Sequence, residues 1–146
     1  MTVLYVASDK PASGKTALCS SLSVLFNKQG LSSAVYKLIS SQEEEGIFSQ
    51  HLENFSKLLN PKNVLDSINL PKQFTIEDLV KPLKQEEKNF DVLIIEAPSS
   101  QTPTDVAKTA KILDSHVLEI INFSPDMDII DLENLCTPFP TLNLIF

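Results

Sequence analysis

A three-layer α/β domain with a mostly parallel five-stranded sheet is what the sequence predicts, on three observations. Short apolar runs rich in β-branched residues recur at Thr2–Ala7, Ser33–Ile39, Asp91–Ala97, Val117–Phe123 and Thr141–Phe146. They are apolar on both parities, as strands covered on both faces must be. Between them lie segments with apolar residues at helical spacing, and strands alternating with helices imply a parallel sheet flanked by helices.

Each element has its local reason. Thr2–Ala7 is short, β-branched and aromatic, which suits the first buried strand. In Gly14–Gln29, residues Ala17, Leu18, Leu22, Leu25 and Phe26 fall on one helical face, and Gly30 stands where a helix stops. Ser33–Ile39 supplies the second strand and closes a βαβ unit. Phe48, Leu52, Phe55, Leu58 and Leu59 share a helical face that Asn60-Pro61 ends, and residues 61–74 read as irregular. Thr75–Asp78 resembles a capping box that opens a helix towards Lys88, with Pro82 bending or dividing it. Asp91–Ala97 is the most apolar run and the third strand. Asp105–Leu113 reads as a short helix, with the fourth strand following it. His116 begins that strand, and Pro125–Leu135 suits a helix with proline in its first turn. Thr141–Phe146 is the fifth strand.

Composition bounds the rest. The 146 residues fit one domain, 1–146, large enough to bury a core without a disulfide or metal staple. Net charge is −7 and all twelve basic residues are lysine. An acidic chain without arginine is poorly suited to tracking a nucleic-acid backbone. Cys19 and Cys136 lie far apart with no metal-ligand spacing, and read as free thiols packed as small hydrophobes. His51 and His116 are isolated. No signal peptide or membrane span is visible, so the expected setting is cytoplasmic, with no membrane partner.

The segment that carries chemistry is Asp9–Thr16, DKPASGKT, between the first strand and the first helix. A phosphate needs converging backbone N–H groups, no side chain in the way and a helix N-terminus behind it. A lysine adds a point charge, and a Ser/Thr hydroxyl suits magnesium. Gly14, Lys15 and Thr16 fill these places, with Ala12 and Ser13 in the cradle. Aspartate stands where the first glycine of the standard pattern would be. Lys10, five residues before Lys15, has the spacing of the deviant loop in which a second lysine reaches the phosphate. Pro11 and Ala12 replace that loop's paired glycines, and the proline removes one amide from the cradle.

With FDVLIIEAPSS and AKILDSHVLEIINFSP, the opening VLYVASDKPASGKTALCSSLSVLFNKQGLSSAVYKLI resembles dethiobiotin synthetase-like P-loop domains. These comprise the synthetase itself and the related N-terminal domain of some phosphotransacetylases. The resemblance implies a P-loop NTPase-like fold with strand order 2-3-1-4-5, strands numbered along the chain. It implies ATP and Mg²⁺ as cofactors. It casts Lys15 and Thr16 as the phosphate-binding lysine and the magnesium-binding hydroxyl, Lys37 and Ser41 as substrate contacts, and Glu96 as the carboxylate that holds magnesium. Lys15 and Lys37 would then be the catalytic pair, stabilising charge on a transferred phosphoryl group.

Three departures shape the functional expectation. Leu38 follows Lys37 where the family has proline. No aspartate lies between Asp9 and Asp66 to serve as a second metal ligand, which leaves Glu43–Glu45 or Glu53 as substitutes. Ala97-Pro98 replaces the glycines that follow the third-strand acid. The chain also stops at the fifth strand, before the loops with which the family recognises adenine. It is therefore expected to be a fragment of a longer chain or to lack base recognition, and its fifth strand to be covered by further chain or by a homodimer partner. The favoured expectation is a regulatory or ligand-sensing nucleotide domain with weak or no turnover. The alternatives are an ATP- and Mg-dependent ligase of the synthetase type and a degenerate interaction module that binds nothing. Among NTPases the runner-up is a partitioning-type ATPase switch, in which Lys10 reaches across a nucleotide-sandwiched dimer.

Overall fold

The computed structural model describes residues 1–39, 68–69, 76–86, 88–99, 101–122 and 142–145. Along the chain these form β1 (Thr2–Ser8), α1 (Lys15–Lys28), β2 (Ser33–Ile39), β3 (Ile68–Asn69), α2 (Ile76–Glu86), β4 (Val92–Glu96), α3 (Pro103–Ile112), β5 (His116–Ile120) and β6 (Leu142–Ile145). The strands make one sheet in the order β3-β2-β4-β1-β5-β6, and every pairing is parallel. Omitting β3 leaves the order expected from the sequence. The two-residue β3 is an addition: it pairs Ile68 with Leu38 and Asn69 with Ile39 on the outer edge of β2, inside a stretch that reads as irregular. Two residues are too few to show a period.

Strand alternation sorts the core into two halves. Val3, Tyr5 and Ala7 of β1 join Ala34, Tyr36, Leu38, Leu93, Ile95 and Val117 on one face, under Leu83 of α2 and Val106 and Ala110 of α3. Val6, Val92 and Ile94, with Leu4, Val35, Leu118 and Ile120 around them, make the other face, under Cys19, Leu18, Leu22 and Phe26 of α1. Three layers result, with α1 alone on its side among the described helices.

Several local expectations change. α1 packs part of the face its leucines outline, with Leu18, Leu22 and Phe26 partly buried against the sheet. Ala17 and Leu25 are exposed, while Cys19, Ser20 and Ser23 are buried. Small side chains let the helix lie close to the sheet, and their hydroxyls find partners. Ser23 Oγ pairs with Ser33 Oγ at 2.9 Å, and Ser20 Oγ donates to the Thr16 carbonyl at 2.7 Å. Gly30, at φ +84°, turns the chain out of the helix. Pro82 does not divide α2, which runs unbroken from Ile76 to Glu86; the adjacent Leu83 is buried in the core, and that packing offsets the lost hydrogen bond. Asp91 lies just before β4 rather than in it. Its Oδ2 accepts from the Ser32 amide at 2.8 Å and from Ser32 Oγ at 2.7 Å. α3 begins at Pro103, with Thr102 as its cap. β5 begins at His116 as expected and ends at Ile120. The helices expected over Phe48–Leu59 and Pro125–Leu135, together with Thr75, His51 and Cys136, lie outside the described residues.

Candidate phosphate site at the N-terminus of α1

Each of three neighbouring strands places one polar side chain at its C-terminal end on the α1 face. In β1 the alternation Leu4, Val6 leads to Ser8; in β2, Val35 leads to Lys37; in β4, Val92 and Ile94 lead to Glu96. Parallel register sets Glu96 between Val6 and Lys37. The three side chains lie under the first turn of α1, the end of an open α/β sheet at which ligands bind.

Gly14 caps α1 from the left-handed region, at φ 88° and ψ 12°, and its carbonyl accepts the Leu18 amide at 3.0 Å. Ala12 is also left-handed, at φ 55°. That conformation costs an L-residue on the order of 1 kcal/mol, which a glycine there would avoid. Ser13 Oγ is buried and makes no hydrogen bond. Lys15 is only 5% exposed, and its Nζ donates to Ser8 Oγ at 2.9 Å. Ser8 Oγ in turn donates to the Lys10 carbonyl at 2.8 Å, tying the loop down. The Lys10 side chain is exposed.

Behind the loop, Glu96 Oε1 accepts from Thr16 Oγ1 at 2.7 Å and from Lys37 Nζ at 2.9 Å. The Lys37 and Glu96 side chains are 9% and 3% exposed, so this is a buried ion pair between cross-strand neighbours. Cys19 packs one turn below Thr16. Burial, and secondarily the charge of Glu96, push its thiol well above the usual range, which leaves it an inert core residue.

Thus Lys15, Thr16, Lys37 and Glu96, expected from the sequence, come together with Ala12, Ser13 and Gly14. Lys10 is adjacent through its backbone. Ser41, Glu43–Glu45 and Glu53 lie outside the described residues. Two participants were missed. Ser8 receives Lys15, and its signal is a polar residue ending an apolar alternation. Asp9, the odd residue of the loop, is an anchor: its Oδ1 accepts both the backbone amide and the side-chain Nδ2 of Asn122, each at 3.2 Å. No sequence period connects residues so far apart. Beside this anchor, on the opposite face from α1, Glu119 is buried next to Ala7. Its Oε2 has no hydrogen-bond partner. Burial, with the Asp9 charge adding, pushes its carboxyl up to about 6.

No protein-family model matches the chain, and no curated protein sequence matches it. Solved structures do. FtsY from Mycoplasma mycoides is 17% identical, with a TM-score of 0.63 over 99% of this chain and 52% of that one. The chimerical protein CapA2B2 is 17% identical, with a TM-score of 0.61 over 98% of this chain and 75% of that one. FlhF complexed with GMPPNP and Mg²⁺ is 11% identical, with a TM-score of 0.54 over 98% of this chain and 53% of that one. At such identities the likeness is one of fold, and the fold is that of the P-loop NTPases. The chain spans about half the length of FtsY and FlhF. Among the described residues no helix is long and apolar enough to cross a membrane.

Proposed function

We propose that this chain binds the phosphates of a nucleotide at the N-terminus of α1, and acts as a regulatory or ligand-sensing domain with weak or no turnover. The observation that carries the reading is the convergence of Lys15, Thr16, Lys37 and Glu96 behind a loop held open by two left-handed residues, Ala12 and Gly14. Two lysines beside a helix N-terminus favour a polyanion. FlhF, whose fold is similar, was solved with GMPPNP and Mg²⁺, which supports a nucleoside triphosphate. ATP is the nucleotide we assign, on the resemblance to dethiobiotin synthetase-like domains.

Lys15 would hold the terminal phosphates, and the loop amides from Ala12 to Thr16 would take the rest. Thr16 Oγ1 and Glu96 are the hard oxygen donors that suit magnesium, an ion that keeps several waters and takes phosphate oxygens beside one or two carboxylates. A magnesium ion there would meet a carboxylate already paired with the Lys37 ammonium. Low turnover follows from Glu96 being engaged by both Thr16 and Lys37, a pairing that has to loosen before a metal can organise phosphoryl transfer. A ligase of the dethiobiotin synthetase type is the second reading. The burial of Lys37 beside the loop, where it could face both phosphate and substrate, favours it.

Calorimetric titration with ATP and magnesium tests the proposal, with Lys15→Ala run beside the wild type. Binding in the micromolar range, weakened by about two orders of magnitude in the variant, is the expected result. No heat from either protein would leave the fold without this function. Release of phosphate above the level of Lys15→Ala would move the reading to the ligase.

A further inference from the structure

One oxygen of the carboxylate that suits a divalent ion is already held by a cation of the chain. Glu96 Oε1 accepts from Lys37 Nζ at 2.9 Å and from Thr16 Oγ1 at 2.7 Å. This ammonium is not a surface lysine that has swung inward. Lys37 and Glu96 are register partners across β2 and β4, and both side chains are almost fully buried. The sheet pairing itself therefore fixes the ammonium against the carboxylate. A divalent ion on the same oxygen would sit beside a buried positive charge, and the two repel strongly where water is excluded.

We propose that Lys37 is the built-in counter-cation of this site, so that polyphosphate is bound without a divalent ion and magnesium competes with the ammonium for Glu96. The proposal rests on the phosphate-binding reading for its ligand, and on the Lys37–Glu96 geometry alone for the competition. A phosphate at the N-terminus of α1 meets Lys15 and Lys37 together. These supply the positive charge that a metal–nucleotide complex otherwise brings with it. Lys37 is a positioning and charge-balancing residue in this account. It touches Glu96 directly.

Two measurements test this on the full chain. In the first, Mn²⁺ is titrated without nucleotide and followed by electron paramagnetic resonance, in wild type, Lys37→Met and Lys37→Gln. Removal of the ammonium should raise Mn²⁺ affinity about tenfold. Lys37→Gln keeps a donor for Glu96, so it guards against a variant that merely fails to fold, and circular dichroism melting checks both. Equal Mn²⁺ affinity in all three proteins would overturn the competition, whatever nucleotides do. In the second, ATP is titrated calorimetrically with excess EDTA and then with magnesium. Wild-type affinity should differ by less than about threefold between the two, whereas Lys37→Gln should bind about tenfold more weakly in EDTA and recover with magnesium. Wild-type binding that requires magnesium would overturn the proposal and leave the nucleotide reading standing. Absence of ATP binding in both conditions would overturn the nucleotide reading, with the Mn²⁺ titration still deciding the role of Lys37.

Discussion

Glu96 and Glu119 invite comparison. Each is 2% exposed, and each sits near the C-terminal end of a strand that flanks β1. Glu96 faces α1, and one of its oxygens takes a hydroxyl and an ammonium. Glu119 faces the other way, has an oxygen with no partner, and lies near the carboxylate of Asp9. Equal depth therefore comes with different partners. Burial penalises a carboxylate only as far as donors fail to reach it, and β-strand alternation decides which donors those are. A carboxylate on the α1 face meets the helix N-terminus and a cross-strand lysine. Among the described residues, Glu119 on the opposite face of β5 has the Asp9 carboxylate near it instead.

Four substitutions break or sharpen that contrast. The largest effect is expected from Glu96→Ala, which leaves the buried Lys37 ammonium without its carboxylate and should cost about 3–5 kcal/mol in urea unfolding. A loss below about 1 kcal/mol would mean that the pair is effectively solvated. Glu119→Gln should act in the opposite sense, through pH. The folded chain holds the Glu119 proton up to about 6, against an ordinary value of 4.5. Between these values it binds more protons than the unfolded chain, so stability is full below the window and falls as pH rises through it. The fall amounts to at most about 2 kcal/mol. It should vanish in Glu119→Gln, measured as urea midpoints at a series of pH values; an unchanged slope would assign the effect to another group. Asn122→Ala removes one of the two donors to Asp9 and should cost about 1 kcal/mol by the same assay. Ala12→Gly should have the smallest effect. Relief of the left-handed strain stabilises the chain by less than about 1 kcal/mol, after the greater freedom of glycine in the unfolded state is deducted.

The strands were legible because buried parallel strands announce themselves as apolar runs, and DVLIIEA could hardly be anything else. The loop was legible because GKT follows a strand and opens a helix. Lys37 and Glu96 were legible only through resemblance. That they share one oxygen follows from register, and register between strands distant in sequence leaves no local trace. The buried face of α1 was legible only in part, for a related reason. Leu18, Leu22 and Phe26 of the apolar stripe pack against the sheet, but close approach also buries Cys19, Ser20 and Ser23, which the stripe does not mark. β3 was too short to read, and the role of Asp9 depends on Asn122, just beyond the end of β5.

That last contact has a consequence for how the protein is made. Asp9 and Asn122 are 113 positions apart, and the Asp9 amide also reaches back to the Ile120 carbonyl. The loop after β1 is synthesised before β5, so its anchor cannot close until β5 has emerged and docked beside β1. Contacts of such sequence separation form slowly. Until the β1–β5 seam is sealed, the loop between β1 and α1 lacks the contact that ties Asp9 down.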